Sequence, residues 1–126
     1  MGKKILIVDD EPQIRILLEQ TLEDFEDSGV EILTAENGKE GLELIESERP
    51  NLVFLDVMMP EMNGFDVCHT VKMKLKLKDI YIVLITAKGQ EFDKQKGKEV
   101  GADEYKTKPF DPDEIVKLAG KVLGIE

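Results

Sequence analysis

The sequence predicts an α/β domain with an open, five-stranded parallel sheet covered by helices on both faces. Three observations carry this. Strand-like and helix-like apolar segments alternate five times along the chain. The strand-like runs are apolar through their centres, as strands buried on both sides are. The 126 residues, 41% of them hydrophobic, suffice for one core but not for two. Parallel pairing follows from the intervening helices, because a right-handed crossover returns the chain to the same end of the sheet.

Each unit has its own signals. "KILIVD" is the first strand, and Asp10 as a candidate N-cap with Pro12 in the first turn starts helix 1, whose stripe is Ile14, Leu17, Leu18, Leu22 and Phe25. "VEILTA" is the second strand. Asn37-Gly38 marks a turn, Leu42, Leu44 and Ile45 face inward from helix 2, and Glu48-Arg49-Pro50 ends it. "NLVFLD" is the third strand, followed by helix 3 with Val67, Val71 and Leu75. "KMKLKLKD", Lys72 to Asp79, alternates like a strand but follows helix 3, so it reads as a helix end and a solvated connection. "IYIVLITA" is the fourth strand. Helix 4 lies near residues 90–100 with Phe92 and Val100 as its large apolar anchors and Gly97 as a weak point. "DEYKT" is a weaker fifth strand, and Ile115, Leu118, Ala119, Val122 and Leu123 line helix 5. Gly64 and Gly101 read as turn residues.

Composition excludes several function classes. No apolar run approaches a membrane span, and Met-Gly-Lys-Lys leads into a strand without a cleavable signal pattern, so a cytoplasmic protein with no membrane partner is expected. A formal net charge of −10 argues against direct nucleic-acid binding and favours cations and basic protein surfaces. The one cysteine, Cys68, excludes an internal disulfide and reads as a half-buried apolar residue.

Ligands of such sheets bind outside the carboxyl ends of the strands. Strand 1 ends in Asp9-Asp10 followed by Glu11, strand 3 in Asp56 and strand 4 in Thr86, while strand 5 leads to Lys108-Pro109. Singly, each has an ordinary explanation: Asp10 as a helix cap, Thr86 as a loop hydroxyl, Lys108 as solvated surface. Together on one rim they do not. The carboxylates of "LIVDDE" crowd the edge of a core, where repulsion and lost solvation call for a compensating cation or hydrogen bonds.

"VDDE", "FLDVMMPEMNGFD", "LITAKG" and "KPFDPDEI" resemble the signatures of the CheY-like response-regulator receiver domain of two-component signalling, in the expected order over almost the whole chain. The resemblance implies a flavodoxin-like, doubly wound sheet of order 2-1-3-4-5, with helices 1 and 5 on one face and helices 2, 3 and 4 on the other. It implies phosphoryl transfer onto Asp56 from a sensor histidine kinase or a histidine phosphotransfer protein. Asp9 and Asp10 then hold Mg²⁺, with Mn²⁺ as a substitute, Thr86 is the switch hydroxyl, Lys108 contacts the phosphoryl group, and Pro109 sets the loop geometry through a cis bond. Tyr105 has two readings, the family's aromatic switch and a plain half-buried tyrosine on an edge strand. His69, on helix 3 away from the rim, reads as an exposed or packed residue rather than a phosphoryl carrier.

The chemistry suits those residue types. Mg²⁺ takes octahedral oxygen ligands, which Asp10, Asp56, the backbone carbonyl of Met58 and water on the Asp9 side supply. Lys108 and Thr86 can meet the phosphoryl oxygens. The protein is then no conventional enzyme; it catalyses its own aspartyl phosphorylation and a slow self-dephosphorylation, since neither Met58 nor Lys88 offers an acceptor to orient water. A helix 4, strand 5 and helix 5 surface would be read by a downstream protein of unknown identity. The sequence ends just after helix 5, so residues 1–126 are expected to be a single receiver domain without an output domain, monomeric when unphosphorylated. The alternative is a metal-dependent phosphohydrolase or phosphotransferase acting on an external substrate. The phosphohydrolase class carries an aspartate two residues after its nucleophile, where this chain has Met58, and it uses a cap domain that this chain lacks.

Overall fold

The computed structural model describes residues 2–87 and 92–125. Five strands, β1 (Lys4–Val8), β2 (Glu31–Ala35), β3 (Leu52–Asp56), β4 (Tyr81–Ala87) and β5 (Glu104–Lys108), form one sheet in the order β2-β1-β3-β4-β5. All pairings are parallel. The helices are α1 (Pro12–Leu22), α2 (Gly38–Glu48), α3 (Gly64–His69), α4 (Phe92–Glu99) and α5 (Pro112–Leu123). The predicted order and helix count hold; residues 88–91, with Lys88 and the expected start of helix 4 at Gln90, lie outside the described residues.

Two apolar layers sandwich the sheet. On one side Leu18 and Leu22 of α1 meet Ile115, Ala119 and Leu123 of α5 over Ile5, Ile7, Phe54 and Val83. On the other, Ile45 of α2 and Phe65, Val67 and Cys68 of α3 pack with Val100 over Leu6, Val8, Leu55 and Leu84. Every residue of β3 is buried, as a central parallel strand requires. Burial of the apolar side chains of β1, β3 and β4 supplies the main driving force, on the order of 2 kcal/mol for each large one.

Local signals mostly act as expected. Asn37 caps α2 by accepting from the Glu40 amide, and Arg49 closes that helix in a left-handed conformation at φ 48°. Asn63 and Asp66 form a reciprocal capping box at the start of α3. Four expectations need correction. Asp10 does not cap α1: the N-cap is Glu11, which makes no side-chain cap hydrogen bond, while Asp9 Oδ1 accepts from the Glu11 amide. Leu17 belongs to the exposed face of α1 rather than its buried stripe, because it sits about 100° round the helix from Leu18, which points at the sheet with Leu22 one turn on; beyond Leu22 the chain tightens into a 3₁₀ turn at Glu23–Ser28. Cys68 is fully buried rather than half-buried, with its Sγ 3.6 Å from the Val100 carbonyl, and burial pushes the thiol up to about 12. Gly64 serves close approach, since a Cβ there would collide with the Asp56 carbonyl. Gly101, at φ 89°, is the turn residue predicted.

The "KMKLKLKD" segment departs furthest. After His69 the chain continues in a wide π-type turn, Thr70–Lys74, in which the Leu75 amide donates to the Thr70 carbonyl five residues back. This winding carries Lys72 inward, leaving Leu75 exposed. Lys72 is 5% exposed, and its ammonium meets Asp103 at 2.7 Å and the Ile80 carbonyl at 2.6 Å.

Candidate functional site

The carboxyl ends of the strands gather the predicted residues on one rim. Asp9 follows β1, with its amide bonded to the Ala35 carbonyl at the end of β2. Asp56 closes β3 in register with Ile85, one residue before Thr86, and Ala87 of β4 is paired with Lys108 at the end of β5. The β3–α3 loop folds back tightly: the Gly64 amide donates to the Val57 carbonyl at 3.0 Å, bringing helix α3 against the backbone of Asp56.

Carboxylate oxygens of Asp9, Asp10, Glu11 and Asp56 all lie within 4.8 Å of one another. Asp9 and Asp56 are 2% and 3% exposed, whereas Asp10 and Glu11 face solvent. Lys108 Nζ stands among them, 3.2 Å from Asp9 Oδ2, 3.2 Å from Glu11 Oε1 and 3.3 Å from Asp56 Oδ1. Among the described residues no other cation is paired with these four carboxylates. Burial, reinforced by the Asp9 carboxylate, pushes Asp56 up to about 7 against the pull of Lys108. Asp9 is likewise raised, by burial above all, despite its bonds to the Glu11 amide and Lys108. For Lys108, burial works against the charge, yet Asp56, Asp9 and Glu11 outweigh it and hold the ammonium above its ordinary range.

Thr86 completes the rim. It is fully buried, and its Oγ1 is the one buried side-chain oxygen or nitrogen with no hydrogen-bond partner among the described residues. An orphaned buried hydroxyl beside an excess of negative charge suits a site built for an oxyanion and a cation brought from outside. The residues present therefore fit a divalent metal: a hard, all-oxygen donor set with charge beyond what one lysine balances.

Met58, two residues past Asp56, has its side chain 62% exposed, and among the described residues no backbone amide is bonded to its carbonyl. The Lys108-Pro109 peptide is cis. Tyr105 is half-buried on β5 against Gly97 of α4, where a Cβ would stand 3.0 Å from the ring, so the glycine has a packing reason to be there. His69 is exposed on α3. Glu11 has no role legible in the sequence; its contact with Lys108 arises because the loops after β1 and β5, with two strands between them, meet over the same rim.

The chain matches the family model described as the response regulator receiver domain over residues 5–119. It belongs to that family. It is 46% identical over 115 residues to the alkaline phosphatase synthesis transcriptional regulatory protein PhoP of Bacillus subtilis, a match covering 91% of this chain and 46% of that protein. It is 43% identical over 123 residues to the phosphate regulon transcriptional regulatory protein PhoB of Pseudomonas aeruginosa, covering 98% of this chain and 52% of that protein. The chain thus spans about half the length of these curated relatives. Among solved structures it is similar to the chemotaxis protein CheY4 of Vibrio cholerae, with a TM-score of 0.83, 35% identity, and coverage of 98% of this chain and 100% of that one. The fold is CheY-like and flavodoxin-like, as the sequence motifs imply, and the class is a signalling domain of two-component systems rather than a phosphohydrolase.

Proposed function

We propose that this receiver domain accepts a phosphoryl group on Asp56 from a sensor histidine kinase or a histidine phosphotransfer protein, in a Mg²⁺-dependent reaction. The observation that carries the reading is the pairing of a buried carboxylate, Asp56, held by Lys108, with the orphaned hydroxyl of Thr86 on the adjacent strand. Each needs a partner that a phosphoryl group provides.

Asp56 Oδ attacks phosphorus as the bond between phosphorus and the donor imidazole nitrogen breaks; the electron pair leaves with the imidazole, and an acyl phosphate forms. Asp9, Asp10, Asp56 and the Met58 carbonyl would hold Mg²⁺, or Mn²⁺ in its place, with water completing the shell. When bound, the metal neutralises charge on the carboxylates and phosphoryl oxygens. Lys108 keeps Asp56 oriented and then pairs with the phosphoryl oxygens, and Thr86 donates its hydroxyl proton to one of them. No separate acid or base is needed: with Lys108 and a bound cation favouring its charged form, the Asp56 carboxylate is itself the nucleophile. Self-dephosphorylation is slow, since the thioether of Met58 cannot orient an attacking water.

Movement of Thr86 toward the phosphoryl group opens space beside α4, into which Tyr105 turns, and a downstream protein reads α4, β5 and α5. The unphosphorylated protein is monomeric and cytoplasmic. Among the described residues no helix is long and apolar enough to cross a membrane. Residues 1–126 act as one receiver domain. In a longer protein of the PhoP or PhoB kind, DNA contacts would belong to a segment beyond this domain, whose own formal net charge of −10 opposes nucleic-acid binding.

Incubation with a small phosphoryl donor and Mg²⁺ tests the reading by intact mass. The wild type is expected to gain one phosphoryl group, with the gain abolished by chelation and by Asp56→Asn. Equal labelling of Asp56→Asn at a carboxylate would refute the acceptor assignment.

A further inference from the structure

Arg15 on α1 is 16% exposed at its side chain, and it reaches back over the turn that precedes its helix. Its Nη1 donates to the Asp9 carbonyl at 2.7 Å, while its backbone amide donates to the Glu11 carbonyl at 3.2 Å. One residue thereby holds the carbonyls on both sides of Asp10. The Asp10 carboxylate itself is exposed and has no hydrogen bond or ion pair among the described residues, so its direction is set by the backbone of Asp9–Glu11 alone. The second guanidinium nitrogen lies 3.7 Å from Glu36, which is 69% exposed, a contact too solvated to matter much energetically.

We infer that Arg15 is a positioning residue for the divalent cation, fixing the Asp9-Asp10-Glu11 turn so that Asp10 points at the site shared with Asp56. The inference rests on the metal-dependent reading above. Electrostatics and geometry make opposite predictions for its removal. A guanidinium bonded to the Asp9 carbonyl, next to the acidic rim, repels an incoming cation, so deleting its charge alone strengthens metal binding. Deleting the donor frees the Asp9 carbonyl and lets the turn move, which weakens binding as loss of an orienting partner does. The sign of the change separates the two.

Calorimetric titration with Mg²⁺ on the folded protein, with thermal unfolding in chelator recorded alongside, makes the test. Arg15→Met is expected to weaken Mg²⁺ roughly 10-fold. Arg15→Lys, which restores a charged donor, and Glu36→Gln, which leaves the Asp9 contact intact, are expected to stay within about 2-fold of wild type by the same reasoning. In an Asp10→Asn background the effect of Arg15→Met should largely vanish, because the group being positioned is gone. Should Arg15→Met fail to fold, Arg15→Ala, which also deletes both charge and donor in a good helix former, repeats the comparison with the same expected sign against Arg15→Lys. Unchanged or tighter Mg²⁺ binding by the neutral variants would overturn the inference while leaving the metal site standing. A wild type that binds no Mg²⁺ would instead overturn the metal-dependent reading beneath it.

Discussion

A lysine meets aspartate at each end of the sheet, and the two sites are built on opposite principles. At the amino end Lys72 meets Asp103 at 2.7 Å and the carbonyls of Ile80 and Lys78 at 2.6 and 3.2 Å, and Asp103 also accepts from the Ile82 amide. Donors and acceptors there are matched. At the carboxyl end Lys108 faces three carboxylates at 3.2 to 3.3 Å, and the nearby Thr86 hydroxyl has no partner among the described residues. That site is left short of positive charge and of an acceptor. A saturated ion pair ties elements together, whereas an unsaturated one waits for chemistry.

The largest expected effect comes from the imbalance itself. Asp56 titrates at about 7 in the folded, metal-free protein against an ordinary value of 3.8, so between those values the folded state holds a proton that the unfolded chain has lost. Stability should therefore fall as pH rises through that window, by an upper bound of about 4 kcal/mol from this group. Asp9, also raised, adds in the same direction. Urea unfolding in chelator from pH 4 to pH 8 should show this decline in the wild type relative to Asp56→Asn, with the variant the more stable at pH 8. Equal profiles for the two proteins would mean that the rim is already balanced.

Next in size is the opposite end. Lys72→Met should destabilise by about 2 kcal/mol, because the buried Ile80 carbonyl loses its donor, while Asp103 keeps water and the Ile82 amide. A fall in melting temperature without change in Mg²⁺ affinity is the expected pattern; a loss of Mg²⁺ binding as large as the loss of stability would break the proposed separation of the two ends.

The two ends also differ in how far the sequence exposes them. Asp9, Asp10, Asp56, Thr86 and Lys108 are legible because a parallel sheet puts every strand's carboxyl end on one side, so polar residues ending apolar runs must converge. Lys72 is not. Its inward turn depends on the π-type winding of Thr70–Lys74, which shifts the phase of the helix by a residue, and its partner Asp103 lies in a different unit. Arg15 escapes for a related reason: a lysine or arginine on an amphipathic helix normally reads as solvated, and only the path of the Asp9–Glu11 turn brings a carbonyl within its reach. Strand ends are set by periodicity; inward cations are set by tertiary contacts that periodicity does not encode.

Thr86→Val sharpens the contrast with a smaller effect. Replacing a buried hydroxyl that has no partner among the described residues by a methyl group removes a desolvation penalty, so the unphosphorylated protein should gain up to about 1 kcal/mol, read by urea unfolding. A loss of that size would show that the hydroxyl is satisfied in solution, and the rim would then lack the open donor that the phosphoryl reading uses.

Backbone strain makes the smallest and most discriminating comparison, because it occurs at both ends. Glu61, in the loop beside Asp56, has φ 67°, and Lys76, in the connection after Lys72, has φ 56°; both side chains are exposed. The left-handed conformation costs a non-glycine residue about 1 to 2 kcal/mol, part of which glycine gives back through the greater freedom of its unfolded chain. Glu61→Gly and Lys76→Gly should therefore each stabilise by about 0.5 kcal/mol. If both gain alike, strain is a by-product of tight connections, and what marks the carboxyl end as functional is its unmet charge alone. If Lys76→Gly gains while Glu61→Gly loses stability or Mg²⁺ affinity, the rim loop holds Glu61 in place through an interaction worth more than the strain, and conformational tension joins charge imbalance as a property of the site.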